Sequence, residues 1–122
     1  MTNSKGPSVQ GFSLTYLDRF TIGDKAAGLT EPSGLALSLG RKAVWVVSDD
    51  TKRIFKLGLD GELKKDSTFK IADKGLEGIT LEPTGEHLLT VREDDDEIIR
   101  VAIDKQQVTD RHRLADMAGY DA

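Results

Sequence analysis

Six carboxylates in this chain of 122 residues fall into two matched sets. Asp49 and Asp50 stand about 44 residues ahead of Glu93 and Asp94, and Glu31 and Glu77 lie shortly before each pair. Carboxylates brought together without histidine or cysteine are hard oxygen ligands, which suit Ca²⁺ or Mg²⁺ rather than zinc. If they gather around water without a cation, they repel one another and their pKa values rise. The sharpest chemistry open to the chain is therefore divalent-cation binding by Glu31, Asp49, Glu77 and Glu93. Asp50, Asp94 and Arg92 border that set; a planar guanidinium at Arg92 could hold an anionic ligand bidentately or pair with Glu93 or Glu77. Glu93 opens a run of five acids ending at Glu97. The matching turn "DDTK" has only two acids, so Asp95, Asp96 and Glu97 are expected to be solvated turn residues. No EF-hand loop is present.

The elements that must position these groups come from an internal repeat. Shifted by about 44 residues, "SGLALSLGRKAVWVVSDDTKRIFKLGLD" lies without a gap on "EGITLEPTGEHLLTVREDDDEIIRVAID". Gly34 meets Gly78, Val47 meets Val91, Asp50 meets Asp94 and Ile54 meets Ile98. Within each unit, short apolar or β-branched runs alternate with turn signals such as "LGRK", "PTGE" and "LDGE". Four short antiparallel strands at this period match a blade of a β-propeller. The expected fold class is all-β, with repeat units at about 33–76 and 77–120. These lie in a partial propeller spanning 12–122, after a flexible stretch over 1–11. Fourth strands are expected at about 67–72 and 110–116, with an extra one at about 14–22. Two blades plus a strand cannot close a ring, which needs roughly four to eight blades. The chain is therefore read either as a fragment of a longer propeller or as one of three copies closing a six-bladed ring head to tail.

In a blade, the start of the first strand and the end of the second share one end of the sheet, and the first strand lies beside the central channel. Glu31, Glu77, Asp49, Asp50, Glu93 and Asp94 are thus expected at one end. His87 falls at the opposite end and His112 in an outer strand, which disfavours a Ser/His/Asp arrangement. Ser33 lacks a GxSxG frame. Trp45 and Phe55 read as core, and Gly34 and Gly78 as residues that permit a close bend at the channel.

Composition narrows the partners. With 21 acidic residues against 17 basic ones, the net charge of -4 disfavours nucleic acid, whose binding needs a basic face; "DRHR" at 110–113 is too small to supply one. The absence of cysteine excludes disulfides and thiolate metal sites. No apolar run is long enough for a membrane-spanning helix or a signal peptide.

The segments "EPSGLALS", "AVWVVSDDTKRIFKLGLDGEL" and "GLEGITLEPTGEHLLTVREDDDEIIRV" resemble the SdiA-regulated family of bacterial β-propellers, which neighbours phytase-like and esterase-like propellers. The resemblance covers roughly Phe12 to the C-terminus. It implies a longer, exported or periplasmic protein with no established activity. A non-catalytic module binding a small molecule or protein on its channel face is the leading function it implies. A metal-dependent hydrolase of phytase-like or lactonase-like class is the alternative, and a structural ring piece is the third.

Overall fold

Two runs of four strands, each folded into its own antiparallel sheet, follow one another along the chain. In the computed structural model, which describes residues 13–19, 22 and 28–116, the first sheet contains β1 (Pro32–Leu37), β2 (Ala43–Ser48), β3 (Arg53–Gly58) and β4 (Phe69–Lys70). The second contains β5 (Leu76–Leu81), β6 (His87–Arg92), β7 (Glu97–Ala102) and β8 (Gln107–Arg113). Strand order follows chain order in both sheets. These are two propeller-type blades, and the registers repeat with the sequence. Val47 pairs with Ile54 as Val91 pairs with Ile98, and Gly34 pairs with Val47 as Gly78 pairs with Val91. The first strand of each sheet carries a bulge at the same place, between Pro32 and Gly34 and between Leu76 and Gly78.

Burial explains why the second strands differ in composition. β2 lies between β1 and β3 and is covered on both faces, so it runs apolar from Ala43 to Val47. β6 is covered on one face only: Leu88 and Thr90 are buried, while Leu89 and Val91 point away. Thr90 takes the place of Val46 in a buried layer, and its hydroxyl donates to the Gly78 carbonyl at 2.6 Å, which removes the cost of an unpaired polar group.

The main core is the layer between the sheets. Trp45, Val47, Ile54 and Phe69 of the first sheet meet Leu76, Leu88, Ile99 and Val101 of the second, with Ile71 from the connection. Each of these larger side chains contributes about 1.5–3 kcal/mol through burial. Trp45 and Phe69 meet edge to face with centroids 6.4 Å apart, and Lys56 Nζ lies 5.0 Å from the Trp45 ring centroid. A second cluster covers the other face of the first sheet, where Leu29 packs on Val46, Phe55 and Leu57, joined by the half-buried Ile22.

Two expectations are revised. The fourth strand of the first unit is only two residues long, because the Thr68 hydroxyl replaces a backbone partner by accepting from the Lys56 N–H, and the Ile71 N–H turns to the Lys52 carbonyl. The fourth strand of the second unit begins earlier than 110, since the turn at 103–106 returns the chain at Gln107. Residues 13–19 are exposed and belong to no strand; the remainder of the expected extra strand, Ile22 apart, lies outside the described residues, as does the stretch 1–11. Among the described residues no helix is long and apolar enough to cross a membrane.

Candidate functional site, the acidic end of the blade pair

Gly75 brings the acidic ends of the two blades together. It has a φ of +75°, which permits a sharp turn between β4 and β5 without a side-chain penalty. Its N–H donates to the Asp49 carbonyl at 2.9 Å, and its own carbonyl accepts from the Glu93 N–H at 2.9 Å. The residues that follow β2 and β6 are thereby tied to one point of the interblade connection. Two residues on, Glu77 occupies the bulge of β5. A bulge re-aims the side chain it carries, and here Glu77 comes within hydrogen-bonding reach of Asp49 and within the field of Glu93.

The electrostatics follow from that placement. Partial burial comes first, then the Glu93 and Asp49 carboxylates, then the hydrogen bond with Asp49; all hold the Glu77 carboxyl above its ordinary value. Of the four carboxylates expected from the sequence to act together, Asp49 and Glu93 therefore each bear on Glu77. Glu31 stands exposed just ahead of β1, and its carboxylate makes no hydrogen bond or ion pair among the described residues. The donor chemistry fits Ca²⁺ or Mg²⁺. The geometry falls short of a finished site: among the described residues no three side chains of the ligating types are placed to hold a metal ion.

The flanking residues have other engagements. Asp50 accepts from the Ser48 hydroxyl and, at 3.1 Å, from the Thr30 hydroxyl. The Ser48 bond above all lowers the Asp50 pKa, with partial burial opposing it and Lys74 adding a small attraction. Asp94 lies against Gly75, so that a Cβ there would stand 3.5 Å from its carboxylate. Arg92 does not pair with Glu77 or Glu93. Strand alternation puts it on the same face as Leu88 and Thr90, where it meets Asp95 at 2.7 Å, Asp73 at 3.8 Å and Glu97 at 3.9 Å. Its Nε is buried without a partner.

Arg92 thus belongs to an ion-pair group that sequence reasoning did not anticipate. Asp73 is buried and receives both terminal nitrogens of Arg111, at 3.1 and 2.7 Å, and Arg111 also reaches Glu97 at 3.3 Å. These carboxylates hold the Arg111 pKa above its ordinary value, Asp73 most strongly. Glu97 opens β7 and is half-buried, so it is not the solvated turn residue expected; Asp95 is an exposed turn residue, as expected, and also pairs with Arg92. The signal available in the sequence was the recurrence of "GDK" ahead of the first repeat unit as "ADK" ahead of the second, which marks Asp73. At the opposite end, Arg100 is bidentate to Glu82, with distances of 3.0–3.2 Å, and bonds Asp110 at 3.2 Å. His87 sits beside this pair, 3.4 Å from Glu82. Arg111 of "DRHR" and the neighbouring Arg100 are therefore each paired with carboxylates within the sheet.

No family model matches the sequence, and no curated protein matches it. Among solved structures, the blade pair resembles Kuenenia stuttgartiensis hydrazine synthase with a TM-score of 0.56 and 13% identity, over 68% of this chain and 24% of that one. It also resembles streptogramin B lyase with a TM-score of 0.52 and 21% identity, over 67% of this chain and 26% of that one. The likeness concerns the fold, and the chain spans about a quarter of the length of either structure.

Proposed function

We propose that the chain is a blade pair of a non-catalytic β-propeller binding module whose acidic end takes a divalent cation, Ca²⁺ first and Mg²⁺ second. Asp49, Glu77 and Glu93 are the central ligands in this reading, Glu31 joins them at the rim, and Asp50, Asp94 and Arg92 border the bound ligand. The observation that carries it is Glu77, aimed by a bulge at a second carboxylate and faced by a third. Such a group gains when a cation replaces a shared proton. Ca²⁺ takes six to eight oxygens, so water or carboxylates from further blades complete the shell. The segments quoted above support placing the module among the SdiA-regulated propellers, and export rests on that same resemblance.

Calorimetric titration with CaCl₂, paired with thermal melting, tests the reading. At about a hundredfold excess over Kd, a bound cation adds about 2.7 kcal/mol to stability. Glu77→Gln is expected to abolish most of that shift, and Ca²⁺ affinity is expected to rise with pH as Glu77 loses its proton. Equal Ca²⁺ affinity in wild type and Glu77→Gln would remove the basis of the proposal.

A further inference from the structure

One interface between consecutive blades is complete within the chain, and its two halves can be read separately. The first blade contributes Gly34, Trp45, Val47 and Ile54, and the second contributes Ile79, Leu81, Leu88, Ile99 and Val101. At its inner edge β1 and β5 approach so closely that a Cβ on Gly34 would stand 2.8 Å from the Glu77 carbonyl oxygen and 3.0 Å from the Gly78 Cα. The Ser33 hydroxyl crosses the same gap and donates to the Leu76 carbonyl at 2.7 Å.

Each half recurs on an outer face of the pair. On the free face of the second blade, Gly78, Leu89, Val91 and Ile98 occupy the places of Gly34, Trp45, Val47 and Ile54. Val47 is wholly buried, whereas Val91 is 38% exposed, and a depression of about 280 Å³ opens beside it, lined by Gly78, Leu89, Val91 and Ile98 among others. On the free face of the first blade, Leu35 and Leu37 occupy the places of Ile79 and Leu81; they are 64% and 46% exposed. The rest of that face is already closed by Leu29 and Ile22.

Gly78 points to what covers the second blade. Its φ is not in the left-handed region, and a Cβ there would meet nothing within 4 Å. Neither backbone conformation nor packing among the described residues calls for glycine, and glycine within a strand lowers stability. Its counterpart Gly34 is required because another blade's first strand lies against it.

We propose that the Gly78–Leu89–Val91–Ile98 face is a docking surface for a second copy of this chain, which presents its Leu35–Leu37 face in the geometry of the internal interface. The Gly78 half and the β1 edge of the other half, Leu35 and Leu37, are exposed on the same molecule, and repetition of such a heterologous contact closes a ring or extends a filament. This association rests on the apolar faces and stands or falls independently of the cation reading.

The test is light scattering on the full chain from low-micromolar to near-millimolar concentration, where mass action favours assembly. Wild type is expected at a multiple of 13.4 kDa. Gly78→Val, which has room within the monomer, and Leu35→Glu are each expected to run as monomers with unchanged circular dichroism. Mixed, the two variants retain one intact half each and are expected to form a dimer and nothing larger. A wild type that stays monomeric throughout would overturn the proposal. So would an assembly that neither variant changes, or mixed variants that remain monomers. If Gly78→Val fails to fold, Val91→Lys serves as the second-blade variant, with the same two readings.

Discussion

Gly34→Ala tests the close approach of the two first strands, β1 and β5. The added methyl would lie 2.8 Å from a backbone oxygen and 3.0 Å from a backbone carbon of β5. Ordinary contact begins near 3.4 Å, and neither obstacle is a side chain that can rotate away, so the first strands of the two blades must separate by about half an ångström. That separation propagates into the layer where Trp45 and Val47 meet Leu88, Ile99 and Val101. Overpacking of this kind costs about 1–3 kcal/mol, and loss of chain entropy in the unfolded state returns about 0.4–1 kcal/mol. The net expectation is a destabilisation of about 1–2 kcal/mol. At Gly78, the matching position of the second blade, the methyl enters open space, and Gly78→Ala is expected to gain about 0.4–1 kcal/mol in the monomer. Urea unfolding at high dilution, followed by fluorescence of the buried Trp45, measures both. A Gly34→Ala midpoint equal to or above wild type, with an unchanged slope, would refute the interblade packing described here.

Two further predictions concern charge. Because the folded-state pKa of Glu77 is raised, its protonated form favours the fold, so its contribution is present at acid pH and is lost as pH rises through the folded value, above the ordinary 4.5. Glu77→Gln should therefore stabilise the Ca²⁺-free protein at neutral pH, with the gain vanishing below about pH 4; denaturation midpoints across that range check it. Asp73→Asn replaces one of the two oxygens that accept from Arg111 with an amide and removes the buried charge, and should cost about 1.5–3 kcal/mol in urea unfolding, whereas a loss below a few tenths would mean that Glu97, with Asp95 for Arg92, suffices to hold the two arginines.

The repeat made the sheets legible because it carries register as well as strand identity. Once Val47 was matched to Val91 and Ile54 to Ile98, the hairpins of both blades followed, and with them the common end that holds Asp49, Glu77 and Glu93. Arg92 was misjudged in its partners for a reason of parity. A residue at the end of a strand points to the face of its i−2 neighbour, and Thr90 directs it to the intersheet side, where Asp73 lies. Asp73 itself was hidden because it sits in a connection outside any strand, and its partner Arg111 is 38 residues away in sequence. β4 lies where the sequence puts it but is shorter than about 67–72, because a side chain, Thr68, replaces a ladder bond, which strand propensity does not register.

Comparing the units by position separates two kinds of residue. Those that form the interblade contact match closely, with glycine over glycine, Val47 over Val91 and Ile54 over Ile98. Those at the acidic end differ: Ser33 gives way to Glu77, Ser48 to Arg92, and Lys52 to Asp96. Packing requires one geometry at every blade boundary, so its residues are held to one pattern. An end that merely repeated would present the same groups at each blade, whereas here the second blade adds Glu77, a carboxylate, at the bulge where the first has only a hydroxyl. The shared positions build the stack, and the divergent ones give each blade end its own set of polar groups.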